Sequence, residues 1–125
     1  MNWSSVWKSS KKPKKQRKYA RNAPAHVRSE QICSHLSAEL RKKYGTRSMR
    51  VRKGDKVKVM VGNFKGKSGK VERIDTGMQR VFITGIELLK KDGSKTLYPL
   101  RPSNLMIQDL DLSDKKRIKR QVTKK

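Results

Sequence analysis

Beyond Gly54 the spacing of apolar residues changes, and this constrains the fold more than any other feature of the 125-residue chain. In Lys56-Val57-Lys58-Val59-Met60-Val61, polar and apolar residues alternate, with a slip at the end. A period of two buries one face of a strand and leaves the other in water. Residues 70–75 and 80–84 read as further strands. Residues 86–90 and 95–100 flank Asp92-Gly93, a dipeptide suited to a tight hairpin turn. Leu105-Met106-Ile107 is the last strand. Short strands this close together, with no long helix between them, predict a mainly β fold, a small antiparallel barrel over residues 54–112. Val57, Val59, Val71, Ile74, Phe82 and Leu105 are its expected core.

Upstream of Gly54 the period is helical. Asn22-Ala23-Pro24 signals a helix start, with Pro near the first turn. Val27, Ile32 and Leu36 follow at near-helical spacing. Ser37 caps a second short helix, and Gly45 suits its left-handed stop position. Leu36, Leu40 and Tyr44 fall on one face, expected to dock on the barrel. At the other end, Ser113 starts a terminal helix whose Lys115, Lys116, Arg117, Lys119 and Arg120 cover most of its surface. Nucleic acid rather than a core is expected to hold such a helix.

Charge divides the chain the same way. Residues 1–53 carry 16 Lys/Arg against two acids, a net +14. Residues 54–112 carry 11 against seven, a net +4, and residues 113–125 carry seven against one, a net +6. The total of +24 thus sits mostly outside the strand-rich region. The expected organisation is a basic tail at 1–23, a helical extension at 24–53, the β domain at 54–112 and a basic helix or tail at 113–125. From Lys8 to Arg21 there are eight cations and no acid. Such a segment cannot bury enough surface to fold alone. Fully extended, the first 23 residues would reach roughly 75 Å. Trp3, Trp7 and Tyr19 among these cations suit base stacking beside phosphate neutralisation.

Other classes fit poorly. No apolar run exceeds three residues, so there is neither a membrane-spanning stretch nor a signal-peptide core. Cys33 is the single cysteine, which excludes an internal disulfide, and with His26 and His35 it makes a poor zinc set because no Cys-x-x-Cys pair exists. No nucleophile, base and orienting group stand at a recognisable spacing.

The segment Gly62-Asn63-Phe64-Lys65-Gly66-Lys67-Ser68-Gly69-Lys70 contains the Gly-Lys-Ser of a phosphate loop. Gly62 and Gly66 enclose three residues, one too few, and a strand rather than a helix is expected next. Nucleotide hydrolysis is therefore not the reading. Glycines here permit positive φ or close approach, and Lys65, Lys67 and Lys70 project from a tight connection with Asn63 and Phe64 beside them.

Lys53-Gly54-Asp55-Lys56-Val57-Lys58-Val59, then Gly62, then Lys65-Gly66-Lys67-Ser68-Gly69-Lys70-Val71, resembles a KOW motif, which begins an SH3-like barrel in several ribosomal and transcription proteins. The lead Lys14-Lys15-Gln16-Arg17-Lys18-Tyr19 through Asn22-Ala23-Pro24, the expected helix His35–Arg41, and the tail Pro102–Ile107 through Leu110-Asp111-Leu112 are similar to the large-subunit ribosomal protein L-twenty-four family. The form is the archaeal and eukaryotic one, with an extension before the barrel, and the short C-terminus resembles the archaeal type. The likeness runs from about Lys11 to Arg120. Trp3 and Trp7 lie outside it.

The resemblance implies a cytoplasmic, non-enzymatic constituent of the large ribosomal subunit with no cofactor. It would bind the 5′ region of the large-subunit RNA, support early assembly, touch neighbouring ribosomal proteins and lie near the tunnel exit, the nascent chain and exit factors. Expected RNA contacts in the lead are Lys11, Lys12, Lys14, Lys15, Arg17, Lys18, Tyr19, Arg21 and Arg28. Before and within the KOW segment they are Arg50, Arg52, Lys53, Asn63, Phe64, Lys65, Lys67, Ser68 and Lys70. Arg101, Lys116, Arg117 and Arg120 complete the set. The alternative is a KOW module of a transcription elongation factor, which would also contact polymerase.

Overall fold

In a computed structural model, residues 3–7 and 10–118 are described. Helix α1 (Pro13–Asn22) is followed by α2 (Ala25–Glu30), strand β1 (Cys33–Leu36), α3 (Ala38–Tyr44) and β2 (Ser48–Arg50). Then come β3 (Lys56–Val59), β4 (Ser68–Asp75), β5 (Arg80–Ile83), β6 (Glu87–Leu89) and β7 (Lys95–Leu97). A 3₁₀ turn (Pro102–Asn104) leads into β8 (Leu105–Asp109).

Six strands form one sheet in the order β2-β1-β8-β3-β4-β5, and β6 pairs with β7 as a separate hairpin. The expected small antiparallel barrel is corrected on two points. The sheet is mixed, because β1 runs parallel to β8, and it is open rather than closed. The extra strands come from the extension. Ile32, Ser34 and Leu36 are buried while His35 is exposed, which is a period of two, not the helical spacing inferred for that stretch. Ser34 is buried without penalty because its hydroxyl donates to the Pro102 carbonyl at 2.6 Å.

Other local rules hold. The Ser37 hydroxyl accepts from the Leu40 N–H, and Gly45 ends α3 at φ 63°. Leu40 and Tyr44 pack against the core from partly buried positions, as the one-face spacing requires. The Asp92-Gly93 turn joins β6 to β7, with Asp92 accepting from both the N–H and the hydroxyl of Ser94. The Ser94 hydroxyl, then its N–H, hold the Asp92 carboxyl below the usual carboxylate range.

Val57, Val59, Val71 and Leu105 are buried as expected. Across β3 and β8, Val57 faces Ile107 and Val59 faces Leu105, which joins the first and last strands of the sheet's centre. Phe82 is a correction. Val81 and Ile83 set the inward frame of β5, so Phe82 points outward, with the Arg73 guanidinium 4.4 Å from its ring centroid. Ile74 is half-buried because the pairing of β4 and β5 slips between Val71 and Arg73. Residues 13–22 are helical rather than extended. Pro13 presets the first turn, and Lys, Arg, Gln and Ala are good helix formers.

The largest correction concerns Arg117. Residues 116–118 form a helical turn; Lys119 and Arg120 lie outside the described residues. The Arg117 side chain is only 3% exposed and forks onto Asp55, itself fully buried, with both N···O distances 2.6 Å. The same guanidinium donates to the carbonyls of Asp111 and Arg50, each at 2.9 Å. Asp55 also accepts from the N–H groups of Arg52 (2.8 Å) and Asp111 (3.0 Å). Arg117 is thus a structural clasp, not a surface cation open to a phosphate. The helical turn at 116–118 carries an inward anchor that the surrounding lysines concealed in the sequence.

Removing one partner of a buried ion pair strands the other charge. Asp55→Ala or Arg117→Ala is therefore expected to cost about 3–5 kcal/mol, a fall of at least about 10 °C in thermal midpoint. Calorimetry or circular dichroism melting checks this; a change under about 2 °C would contradict the clasp.

Candidate nucleic-acid interface

The glycine-framed segment is the connection between β3 and β4. Its backbone closes on itself: the Val59 N–H donates to the Lys67 carbonyl at 2.8 Å, and the Gly66 N–H returns to the Val59 carbonyl at 2.9 Å. Gly62 and Gly66 take φ of 102° and 89°. Gly69 serves differently, by close approach. It faces Val57 across the sheet, and a Cβ there would lie 2.5 Å from the Thr84 carbonyl oxygen and 2.6 Å from a methyl of Ile83. The residue after Lys67 begins strand β4, so no helix N-terminus follows, as a phosphate loop would need.

This connection is anchored from below. Phe64 is half-buried, its ring 5.0 Å from that of Tyr98, and both pack on the core. Lys67 Nζ lies 5.3 Å from the Phe64 centroid. Phe64 therefore fastens the loop, and a face needed for base stacking is already covered. Asn63, Lys65, Lys67, Ser68 and Lys70 are exposed.

The cations at the loop root sit differently from those at its tip. Lys70 faces Lys56 across β3 and β4, and Lys56 faces Asp109 on the other side. Like charges opposite one another in a sheet are unfavourable, so the Lys56–Lys70 pair raises local positive potential at a cost in stability. Asp109 and Asp111 line the same shallow cavity as Lys56 and Lys70. The Ser113 N–H and hydroxyl, with Arg117 and Lys70 nearby, hold the Asp111 carboxyl below its usual range, so it stays ionised. A phosphate at the root meets these carboxylates. Lys65 and Lys67 at the tip have no carboxylate among the described residues in such an arrangement.

The lead presents the second concentration of charge. Helix α1 buries none of its residues, has no acid in its first turn, and carries Lys14, Lys15, Arg17, Lys18 and Arg21. Lys11 and Lys12 are exposed just before it. Tyr19 is half-buried, stacked on Trp3 with centroids 5.1 Å apart and tilted against Trp7 at 4.9 Å. The aromatics scattered in sequence are thus one cluster.

The remaining expected contacts divide. Arg50, Lys53, Arg101 and Lys116 are exposed. Arg52 is half-buried and paired with Asp114 at 2.6 Å, which lowers its availability to a phosphate. Arg28 is half-buried, and its Nε has no hydrogen-bond partner among the described residues. Sequence reasoning passed over Lys56, Lys58 and Arg73. Their period-two placement beside inward valines was the available signal.

Lys65→Ala with Lys67→Ala is expected to shift unfolding free energy by no more than about 0.5 kcal/mol, as exposed substitutions do. Lys70→Ala is expected to weaken polyanion binding less than either tip substitution. Melting curves and filter binding check both; a large loss of stability would assign the tip lysines to the fold.

Among the described residues no helix is long and apolar enough to cross a membrane, and no cluster of His, Cys, Asp or Glu could hold a metal ion. The family of eukaryotic L26 and archaeal L24 ribosomal proteins has a model that matches residues 10–125. The open β fold, the lysine-tipped β3–β4 connection and this match over nearly the whole sequence lead to one assignment: the chain belongs to that family, as a structural protein of the large ribosomal subunit.

Proposed function

We propose that this protein binds the 5′ region of the large-subunit ribosomal RNA and supports early assembly of the subunit near the exit of the peptide tunnel. The observation that carries the reading is the separation of roles among its cations. Arg117 and Arg52 are committed to Asp55 and Asp114, whereas Lys65, Lys67 and the cations of α1 stand exposed on formed backbone. A clasped sheet gives the tip lysines a fixed position. The acid-free helix gives a rod about 15 Å long, at 1.5 Å per residue over ten residues, that neutralises converging phosphates.

Helix α1 is marginal by itself. It is shorter than the 12–15 residues an isolated helix needs, and it lacks a side-chain cap at Lys12. RNA phosphates along its flank would remove the repulsion between successive cations. In the cell the protein would reside on cytoplasmic ribosomes, beside other large-subunit proteins and close to the emerging chain and the factors that meet it. Recognition of folded RNA then rests on shape and unpaired segments, since the deep groove of an A-form helix excludes side chains.

Binding driven by phosphate neutralisation releases counterions. Six to ten contacts would lose roughly 10³–10⁵ in affinity between 50 and 200 mM salt. Titration of a large-subunit RNA fragment at several salt concentrations is expected to show this slope. Replacing Lys65 and Lys67 is expected to lower the slope by about one for each phosphate left without its lysine. Affinity independent of salt would overturn the reading.

A further inference from the structure

We propose that Trp3, Trp7 and Tyr19 form a clamp for one unstacked RNA base, with Lys15 and Lys18 on the flanking phosphates. The inference rests on the RNA-binding reading and adds a ligand site to it. Two of its residues, Trp3 and Trp7, lie before the family match, which begins at residue 10.

Lys15, Lys18, Tyr19 and Asn22 stand at i, i+3, i+4 and i+7, so a single face of α1 presents all four. The segment at residues 3–7 lays both indoles against this face, with Tyr19 in contact with each. Together they line a cavity of about 240 Å³. A cavity of about 150 Å³ already admits a benzene ring, so this one has room for a single heterocycle.

The chemistry of the lining selects the occupant. Both Trp side chains and Tyr19 are half-buried, so apolar ring surface is left open to water, and a planar ligand would cover it. The Trp3 Nε1–H is buried and has no hydrogen-bond partner among the described residues. A buried donor without an acceptor is costly, so a base whose ring nitrogen or carbonyl reached this N–H on binding would relieve that cost. Lys15 and Lys18 at the rim call for anions, and residues 3–7 and 10–22 contain no acid. A flat ring bearing acceptors between two anionic groups describes a nucleotide within a single strand.

The two tryptophans are the chain's only ones, so indole emission reports on the clamp alone. The full chain is titrated with a single-stranded oligoribonucleotide and with an abasic oligomer of equal length and charge. Saturable quenching by the first and little by the second is expected. Trp3→Ala with Trp7→Ala is expected to weaken base-dependent binding about 5- to 150-fold, the range for loss of one stacked base. The paired Trp→Phe variant, read by filter binding, is expected to recover most of it. Melting of the sheet is expected to be unchanged in every variant. Equal binding of both oligomers, or an unaltered affinity in the alanine variant, overturns the clamp. A large-subunit RNA fragment is titrated in parallel. If it binds with a steep salt slope while the clamp tests fail, the RNA-binding reading stands and the clamp alone is wrong. If it does not bind, both are wrong.

Discussion

The fold depends on the ion pair between Asp55 and Arg117. Every polar atom of the Asp55 carboxylate is engaged, by Arg117 and by the N–H groups of Arg52 and Asp111. The guanidinium in turn holds the backbone carbonyls of Arg50 and Asp111. One pair therefore ties together the end of β2, the start of β3 and the chain beyond β8. A bidentate, buried pair of this kind is valued less for net stability than for fixing one arrangement among several. Here it fixes where the basic C-terminal segment leaves the sheet.

Gly54 shows how the local sequence serves that pair. It sits at φ 94°, and a Cβ there would come within 2.7 Å of an Asp111 carboxylate oxygen. A side chain at this position would be both strained and obstructed. Its N–H donates to the Val71 carbonyl, while the Val71 N–H donates to the carbonyl of Asp55. The Gly54-Asp55 pair thus turns the carboxylate inward and starts the β3–β4 pairing in one step. The lysine-tipped connection at the far end of those strands inherits its position from this turn.

Much of the fold could be read from the residues, and the failures have physical causes. The strands after Gly54 follow from alternation, the end of α3 from Ser37 and Gly45, and the hairpin from Asp92-Gly93. Strand β1 escaped because Ile32 and Leu36 are also four apart, a spacing that helix and strand share when the intervening Ser34 is polar. Its burial depends on a carbonyl 68 residues away, which no local pattern contains. Arg117 escaped for the same reason: among so many cations, only its partner 62 residues away distinguishes it. Closure of a barrel is likewise a property of strand ends meeting in space, not of strand count. At the candidate interface, the exposed lysines and the acid-free lead were legible as charge, while the fastening role of Phe64 and the gathering of Trp3, Trp7 and Tyr19 depend on ring contacts between residues apart in sequence.

The central claim is that a clasped sheet presents cations at two places, the β3–β4 tip and α1, for RNA to meet separately. Hydroxyl-radical footprinting of large-subunit RNA tests it most directly, comparing the intact chain with Lys65→Ala/Lys67→Ala and with a variant in which Lys14, Lys15, Arg17 and Lys18 are replaced by glutamine. The account predicts distinct protected patches, one vanishing with each variant while the other persists. Diffuse protection without defined patches, or disappearance of both patches together in a variant whose sheet remains folded, would contradict it.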